Sequence, residues 1–342
     1  MTTAPTPYGE QPAPNRRPWV KRAVIVLLLL ALAWMALVVF RYCTTGKPVA
    51  EIAPLPKPLA NALSQPPKYV GSYDGVARPL GVAVASNGTV YAPETSGERL
   101  IRVFDKDGQP GQAFAVEGTT KLSRYPIYVA VSPKDQRVYV SDQQALTIFI
   151  FTPNGEVVGH VPSPFEGGWA PLALAFDKAG NLYVTDVTPG NHRLVVLDPD
   201  GNLVRTFGTE GEGAGQFSFP NGIAVDGKGY VYVSDSGNGR VLAFDADGNL
   251  LYGIGRGVGK GDLALPRGIA VDDERRVLLV VDTTNQGVNV YDISGSTPKF
   301  IYTLGGQGTA ADSFRFPNGV AVDGGKVYIT DRENNRVTIW RF

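Results

Sequence analysis

The chain has 342 residues, and its 32 Lys and Arg against 32 Asp and Glu leave it without formal net charge. That balance excludes a general nucleic-acid binder, which needs a basic excess to meet phosphate. The single cysteine, Cys43, excludes an internal disulfide and any Cys-rich zinc or iron-sulfur site, while the length allows one large all-β domain or two ordinary ones.

Residues 1–22 open with MTTAPTPYGEQPAPN, a polar, proline-rich composition expected of a disordered tail. The stretch Ala23 to Phe40 then runs eighteen residues without a charge. At ~1.5 Å per residue it covers about 27 Å, enough for one transmembrane helix over residues 23–40. Trp19 and Tyr42 flank it, where amphipathic rings favour the interface. Arg16, Arg17, Lys21 and Arg22 crowd its N-terminal side and Arg41 follows it, so the positive-inside bias puts the tail in the cytoplasm and the remainder outside. A cleaved signal peptide would need a shorter apolar region, about 7 to 15 residues, and an A-x-A-like site. The exit sequence RYCTTGKPVAEIA offers only poor sites, which favours an uncleaved anchor in the cell membrane. Residues 41–67 are rich in proline and read as a semi-rigid spacer.

From residue 68 onward the chain repeats itself. P-x-G, a short apolar run, and an acid closing a second run about fifteen residues after the proline recur in six copies, with prolines at 79, 126, 171, 220, 266 and 317. A period in this range means a propeller or a solenoid. Each copy holds four strand-sized segments, in the fourth GIAVD, YVYVSD, RVLAFD and LLYGIG, split by Gly, Asn and Asp turns. Six units of four strands predict an all-β, six-bladed β-propeller over residues 68–342. The last copy stops after its third strand, RVTIWRF, and the orphan KYVGSYDG precedes the first copy. The expectation is that this N-terminal strand completes the last blade and protects an open edge.

The series P-x-G-[IV]-AVD, VY-V-[ST]-D, N-x-R-V and F-G-x-x-G resembles the NHL-repeat family, most specifically in copies 3, 4 and 6. Copy 1 departs with Glu94 for the acid, copy 2 with Tyr128 for the glycine and no arginine, copy 3 with Leu172-Ala173 for x-G, and copy 5 with Gly287 for the arginine. The layout of anchor, stalk and six repeats also resembles the extracytoplasmic sensor part of mycobacterial serine/threonine kinases, without the kinase: the tail carries no Gly-rich loop or HRD motif. RNA binding, which some animal members of the family would suggest, is not expected outside the membrane without a basic excess.

Several motifs invite chemistry. FDKDG, LDPDG and FDADG resemble calcium-loop fragments but lack the rest of an EF-hand, and are expected to be hairpin turns. GIGRGVGKG mimics a phosphate loop but leads to LALPRG, a strand, so it reads as a crossing between blades. Asp142, Asp186, Asp235, Asp282 and Asp331 recur, as structural groups do, and Arg99, Arg193, Arg240 and Arg336 follow on the same face as their expected partners. Two histidines, His160 and His192, are too few for the zinc site that the resemblance to the amidating lyase would imply. A lactonase-like channel metal would have Asn221, Asn318 and Glu94 as its candidates, and the expectation is no metal and no cofactor.

What differs between copies is more informative than what agrees. The x of P-x-G reads Leu80, Ile127, Leu172, Asn221, Arg267 and Asn318 around the expected channel mouth. Beside the apolar half runs the least repeat-like crossing, HVPSPFEGGWAP, with Phe165 and Trp169 expected to be exposed as binding anchors, or with Trp169 plugging the gap between blades 2 and 3. The first expectation is therefore a membrane-anchored recognition or scaffolding module for an extracytoplasmic protein, peptide or glycan. Its contact residues would be Trp169, Phe165, Asn221, Arg267, Asn318, Arg240, Arg336 and His192. The alternative is a metal-dependent propeller hydrolase or lyase, lactonase-like or amidating-lyase-like, with its site at the channel mouth.

Overall fold

The computed structural model describes residues 65–255 and 261–342. The expected tail, the membrane span and nearly all of the spacer lie outside the described residues. Among the described residues no helix is long and apolar enough to cross a membrane.

β-Branched and aromatic runs between Gly and Asp turns form antiparallel sheets, one per repeat. Blade 4 shows the unit: Pro220–Val225, Val231–Asp235, Arg240–Phe244 and Leu250–Ile254 lie side by side from the axis outward. Blades 2, 3 and 5 follow the same order, with innermost strands Pro126–Val131, Pro171–Phe176 and Pro266–Asp272. In blade 6, Pro317–Asp323, Lys326–Asp331 and Arg336–Arg341 are completed by the N-terminal strand Lys68–Asp74. Its partners run from Lys68 opposite Arg341 to Asp74 opposite Arg336, so the two ends of the ring are hydrogen-bonded to each other as expected.

Blade 1 departs from the expectation of four strands. It has Ala83–Val84, Val90–Pro93 and Ile101–Phe104, and only isolated bridges, Ile101 to Phe114 and Phe104 to Pro110, mark its outer edge. Pro110 has no N–H to give a ladder, which confines this segment to bridges.

Innermost strands neighbour one another around the ring, and the one in blade 6 meets that in blade 1. The core lies between blade faces. One cluster joins Tyr73, Tyr328 and Val337 of blade 6 to Val82, Val90 and Phe104 of blade 1. Another joins Tyr232 and Ala243 of blade 4 to Ile269, Leu278 and Tyr291 of blade 5. The seams are filled from the crossings by buried Phe217, Leu263 and Phe314, each three residues before a blade proline.

The Asp-Gly motifs are turns between third and outermost strands, as expected. Asp245 Oδ1 accepts the N–H of Asp247 at 2.9 Å and of Asn249 at 2.8 Å. Only the glycines of these turns, Gly108, Gly201 and Gly248, take positive φ, at 84°, 86° and 88°. With one left-handed residue rather than two, the connection is a type I turn with a bulge, and the register shifts between Ala243 and Phe244. The described part of GIGRGVGKG leads through Leu263 into the strand Pro266–Asp272, not into a helix.

Candidate functional site

One end of the ring carries the P-x-G entries, the acids closing the second strands, the starts of the third strands and the crossings. Its groundwork is a set of buried acids. Asp235 accepts the Ser218 N–H at 2.6 Å, the Asn238 Nδ2 at 2.8 Å and the Arg240 Nε at 2.8 Å. Burial pushes the Asp235 carboxyl above the ordinary range, against those three hydrogen bonds. Asp331 repeats the arrangement with Arg315 N at 2.7 Å, Asn334 Nδ2 at 2.7 Å and Arg336 Nε at 2.8 Å. Asp142 and Asp282, whose blades lack the arginine, bind main-chain N–H groups of their own loops.

This corrects the expectation that Arg240 and Arg336 are open to a partner. Arg240 Nη2 donates to the carbonyls of Gly213 and Gln216 at 2.8 and 2.9 Å. Arg336 Nη2 donates to those of Ala310 and Ser313 at 2.7 and 2.8 Å. Both guanidinium groups are spent tying the crossing to the blade. Arg99 was expected in the same role and is not there: Glu94, one methylene longer than Asp, takes Arg102 Nε at 2.7 Å instead. Arg99 donates to the carbonyls of Lys121 and Arg124, with its guanidinium 4.7 Å from the Tyr125 ring centre. Glu94 also accepts the Ala77 and Leu100 N–H groups, so this carboxylate is engaged within blade 1 rather than beside Asn221 and Asn318.

Trp169 is not an exposed anchor. It is 4 % exposed and packs with Ile148 and Val161 of blade 2 and Val184 and Val195 of blade 3. Lying two residues before its blade proline, it fills the seam that Phe217, Leu263 and Phe314 fill elsewhere. Phe165 is half-buried under the Arg193 guanidinium, 3.4 Å from its ring centre. His192 is also buried; its Nδ1 accepts the Phe219 N–H at 3.3 Å, and its ring meets Phe219 edge-on at 5.0 Å. Between blades 2 and 3 lies an open groove of about 680 Å³, lined by Leu146, His160, Pro162, Trp169 and Pro189 among others.

Two residues that the sequence did not single out are presented instead. Phe219 and Phe316, each just before a blade proline, are 56 % and 45 % exposed with φ of 49° and 53°. Left-handed backbone costs a bulky residue about 1–3 kcal/mol and persists where the surroundings hold it. Here neighbouring side chains capture the N–H: His192 for Phe219, and Gln286 for Phe316 at 3.4 Å. Arg78 occupies the same position in blade 1 with φ 50°, its N–H held by Asn335 at 3.0 Å. Loops of the same end add Leu122 and Leu146, 81 % and 51 % exposed.

At the axis the six x positions divide as expected. Leu80, Ile127 and Leu172 belong to one apolar cluster. Opposite them, Arg267 Nη1 reaches Asn221 Oδ1 at 3.4 Å. Tyr128, the residue standing where copy 2 should have glycine, spans from blade 2 to donate its hydroxyl to Asn318 Oδ1 of blade 6 at 3.0 Å. Burial pushes this phenol up to about 12, with Arg267 opposing. A narrow cavity of about 50 Å³ continues inward past Tyr128, Gly222, Gly268 and Gly319. The sequence signal for Tyr128 was its very departure from the repeat.

Residues 314–340 match the NHL repeat, and residues 175–257 match a 6-bladed beta-propeller family. The chain is 30 % identical over 182 residues to NHL repeat-containing protein 3 of Mus musculus, covering 48 % of this chain and 51 % of that protein. It is 29 % identical over 131 residues to the probable peptidyl-alpha-hydroxyglycine alpha-amidating lyase pgal-1 of Caenorhabditis elegans, covering 36 % and 37 %. The chain thus spans about half the length of the first relative and just over a third of the second. Virginiamycin B lyase from Staphylococcus aureus superposes with a TM-score of 0.55 at 14 % identity, over 80 % of this chain and 98 % of that one, a likeness of fold alone. With the repeat series and the closed ring, these matches show a six-bladed β-propeller that carries an NHL repeat.

Proposed function

We propose that the chain is a membrane-anchored recognition module, held by a helix over residues 23–40 with its N-terminus cytoplasmic, whose extracytoplasmic propeller binds a protein or peptide through the P-x-G end. The reading rests first on Phe219 and Phe316, aromatic side chains held outward on a costly left-handed backbone. Folding does not call for an exposed phenylalanine there, since blade 1 tolerates Arg78 in the same conformation. Exposed aromatic groups are what dominates binding energy at protein interfaces. The acids that close the second strands are buried in their own blades, so what this end offers from the blade entries themselves is apolar contact, which suits a protein or peptide. The eighteen-residue apolar stretch, its basic flank and the proline-rich spacer support the anchor and the orientation.

Replacing Phe219 and Phe316 together by Asn tests the surface, because Asn accepts left-handed backbone and the fold should be retained. In intact cells treated with a membrane-impermeant crosslinker, the double variant should recover at least about tenfold less partner, the loss of two hot-spot groups. Its melting temperature should be preserved. Equal recovery from wild type and variant would reject the surface, and labelling that appears only after lysis would reject the orientation.

A further inference from the structure

The channel mouth carries a charge that the protein leaves unanswered. Among the described residues no carboxylate pairs with Arg267, whereas Arg193, Arg240, Arg276 and Arg336 each hold a buried Asp. The Arg267 Nη1 contact to Asn221 is long, at 3.4 Å, and its Nε is buried without an acceptor. Asn318 is in the same condition. Its Oδ1 is taken by the Tyr128 hydroxyl, and its Nδ2 is buried with no acceptor. Two buried donors from adjacent blades, one of them cationic, want an acceptor that carries negative charge. Facing them across the axis are Leu80, Ile127 and Leu172, which can hold no polar group.

We propose that this mouth binds a carboxylate bearing a compact apolar group, the carboxylate on Arg267 and Asn318 and the apolar group on Leu80, Ile127 and Leu172. One guanidinium matches one negative charge; a phosphate dianion would want a second cation, and none of the six x positions supplies it. Tyr128 sets the site by fixing which way the Asn318 amide points, since its hydroxyl donates to Oδ1 and leaves Nδ2 as the free donor. The inference deepens the recognition reading and rests on it for one source of such a group, the free C-terminus of a partner chain; a small free acid is the other source.

Calorimetric titration of the full-length protein separates these. N-acetyl-leucine should bind, N-acetyl-leucinamide should bind at least about tenfold more weakly for want of the charged acceptor, and acetate should be weak for want of the apolar group. Arg267→Met should abolish binding of N-acetyl-leucine and Arg267→Lys should retain part of it, with both melting as the wild type does. A peptide ending in a free leucine carboxylate that binds more tightly than N-acetyl-leucine supports the chain terminus as source, and equal affinity supports the free acid. Acid and amide binding alike, inorganic phosphate binding as tightly as N-acetyl-leucine, or no binding of either leucine derivative would overturn the proposal. Failure of the recognition surface is read separately, because Phe219→Asn with Phe316→Asn should lose the partner and keep N-acetyl-leucine.

Discussion

Glycine in the P-x-G motif is a packing residue, and the structure shows what it packs against. A Cβ placed on Gly222 would strike the Arg267 carbonyl of the next blade, and one on Gly268 would strike that of Asn318; Gly319 faces the Leu80 carbonyl and so closes the ring by the same device. Gly268→Ala should therefore cost about 1–3 kcal/mol by overpacking against backbone that cannot move aside. Gly71→Ala is the control: that glycine has no positive φ and nothing within 4 Å of its added Cβ, so its melt should not fall. Differential melting of the two variants checks this, and an equal response would remove close strand approach as the reason for the motif. Tyr128 and Ala173 stand at this position in blades 2 and 3, where the inner strands must pass with room for a side chain. The glycines were legible in the sequence because recurrence betrayed them. Phe219 and Phe316 were not, because whether the residue before a proline turns left-handed depends on which neighbouring side chain captures its N–H.

At the scale of the strand, Lys68–Asp74 is the element on which closure depends. It is antiparallel to Arg336–Arg341, sets Tyr69 edge-on to Trp340 at 5.8 Å, and stacks Tyr73 on Phe104 of blade 1 at 4.6 Å. Its removal would leave blade 6 with an unpaired edge and open the apolar cluster shared with blade 1. Deleting residues 68–74 should abolish the cooperative melt, not merely lower it; a sigmoidal transition of unchanged steepness would show that the ring closes by other means. This strand was visible in the sequence because the last copy lacked a fourth segment and the N-terminus offered one. The missing outer strand of blade 1 was harder to see: QPGQAFAV has the length of a strand, and only Pro110 argues against its ladder. Trp169 was ambiguous for a related reason, since an irregular crossing alone does not say whether its aromatic residue faces solvent or the seam.

Across the whole ring the seams share one vulnerability. The tyrosine of VY-V-[ST]-D recurs buried between blades as Tyr91, Tyr183, Tyr232 and Tyr328, with Tyr291 in the same seam as Tyr232 and Tyr128 buried at the axis. Burial pushes Tyr328 and Tyr128 up to about 12 from 10.0, and raises Tyr91, Tyr232 and Tyr291 in the same direction. For an acid whose folded pKa lies above its unfolded one, the stabilisation is fully present below the unfolded value and is lost as pH rises through the folded one. For Tyr128 alone, the displacement from 10.0 to about 12 corresponds to roughly 3 kcal/mol. Stability should therefore be level up to about pH 10 and fall steeply between about pH 10 and 12. Because the affected seams, between blades 1 and 2, 4 and 5, and 6 and 1, belong to one ring whose ends are hydrogen-bonded to each other, no single blade can yield alone. Phenolate absorbance at 295 nm for the buried tyrosines should rise in one step that coincides with the loss of β-sheet circular dichroism. If instead absorbance climbs gradually near pH 10 while the sheet signal persists, the seams admit hydroxide locally and the ring is not one cooperative unit.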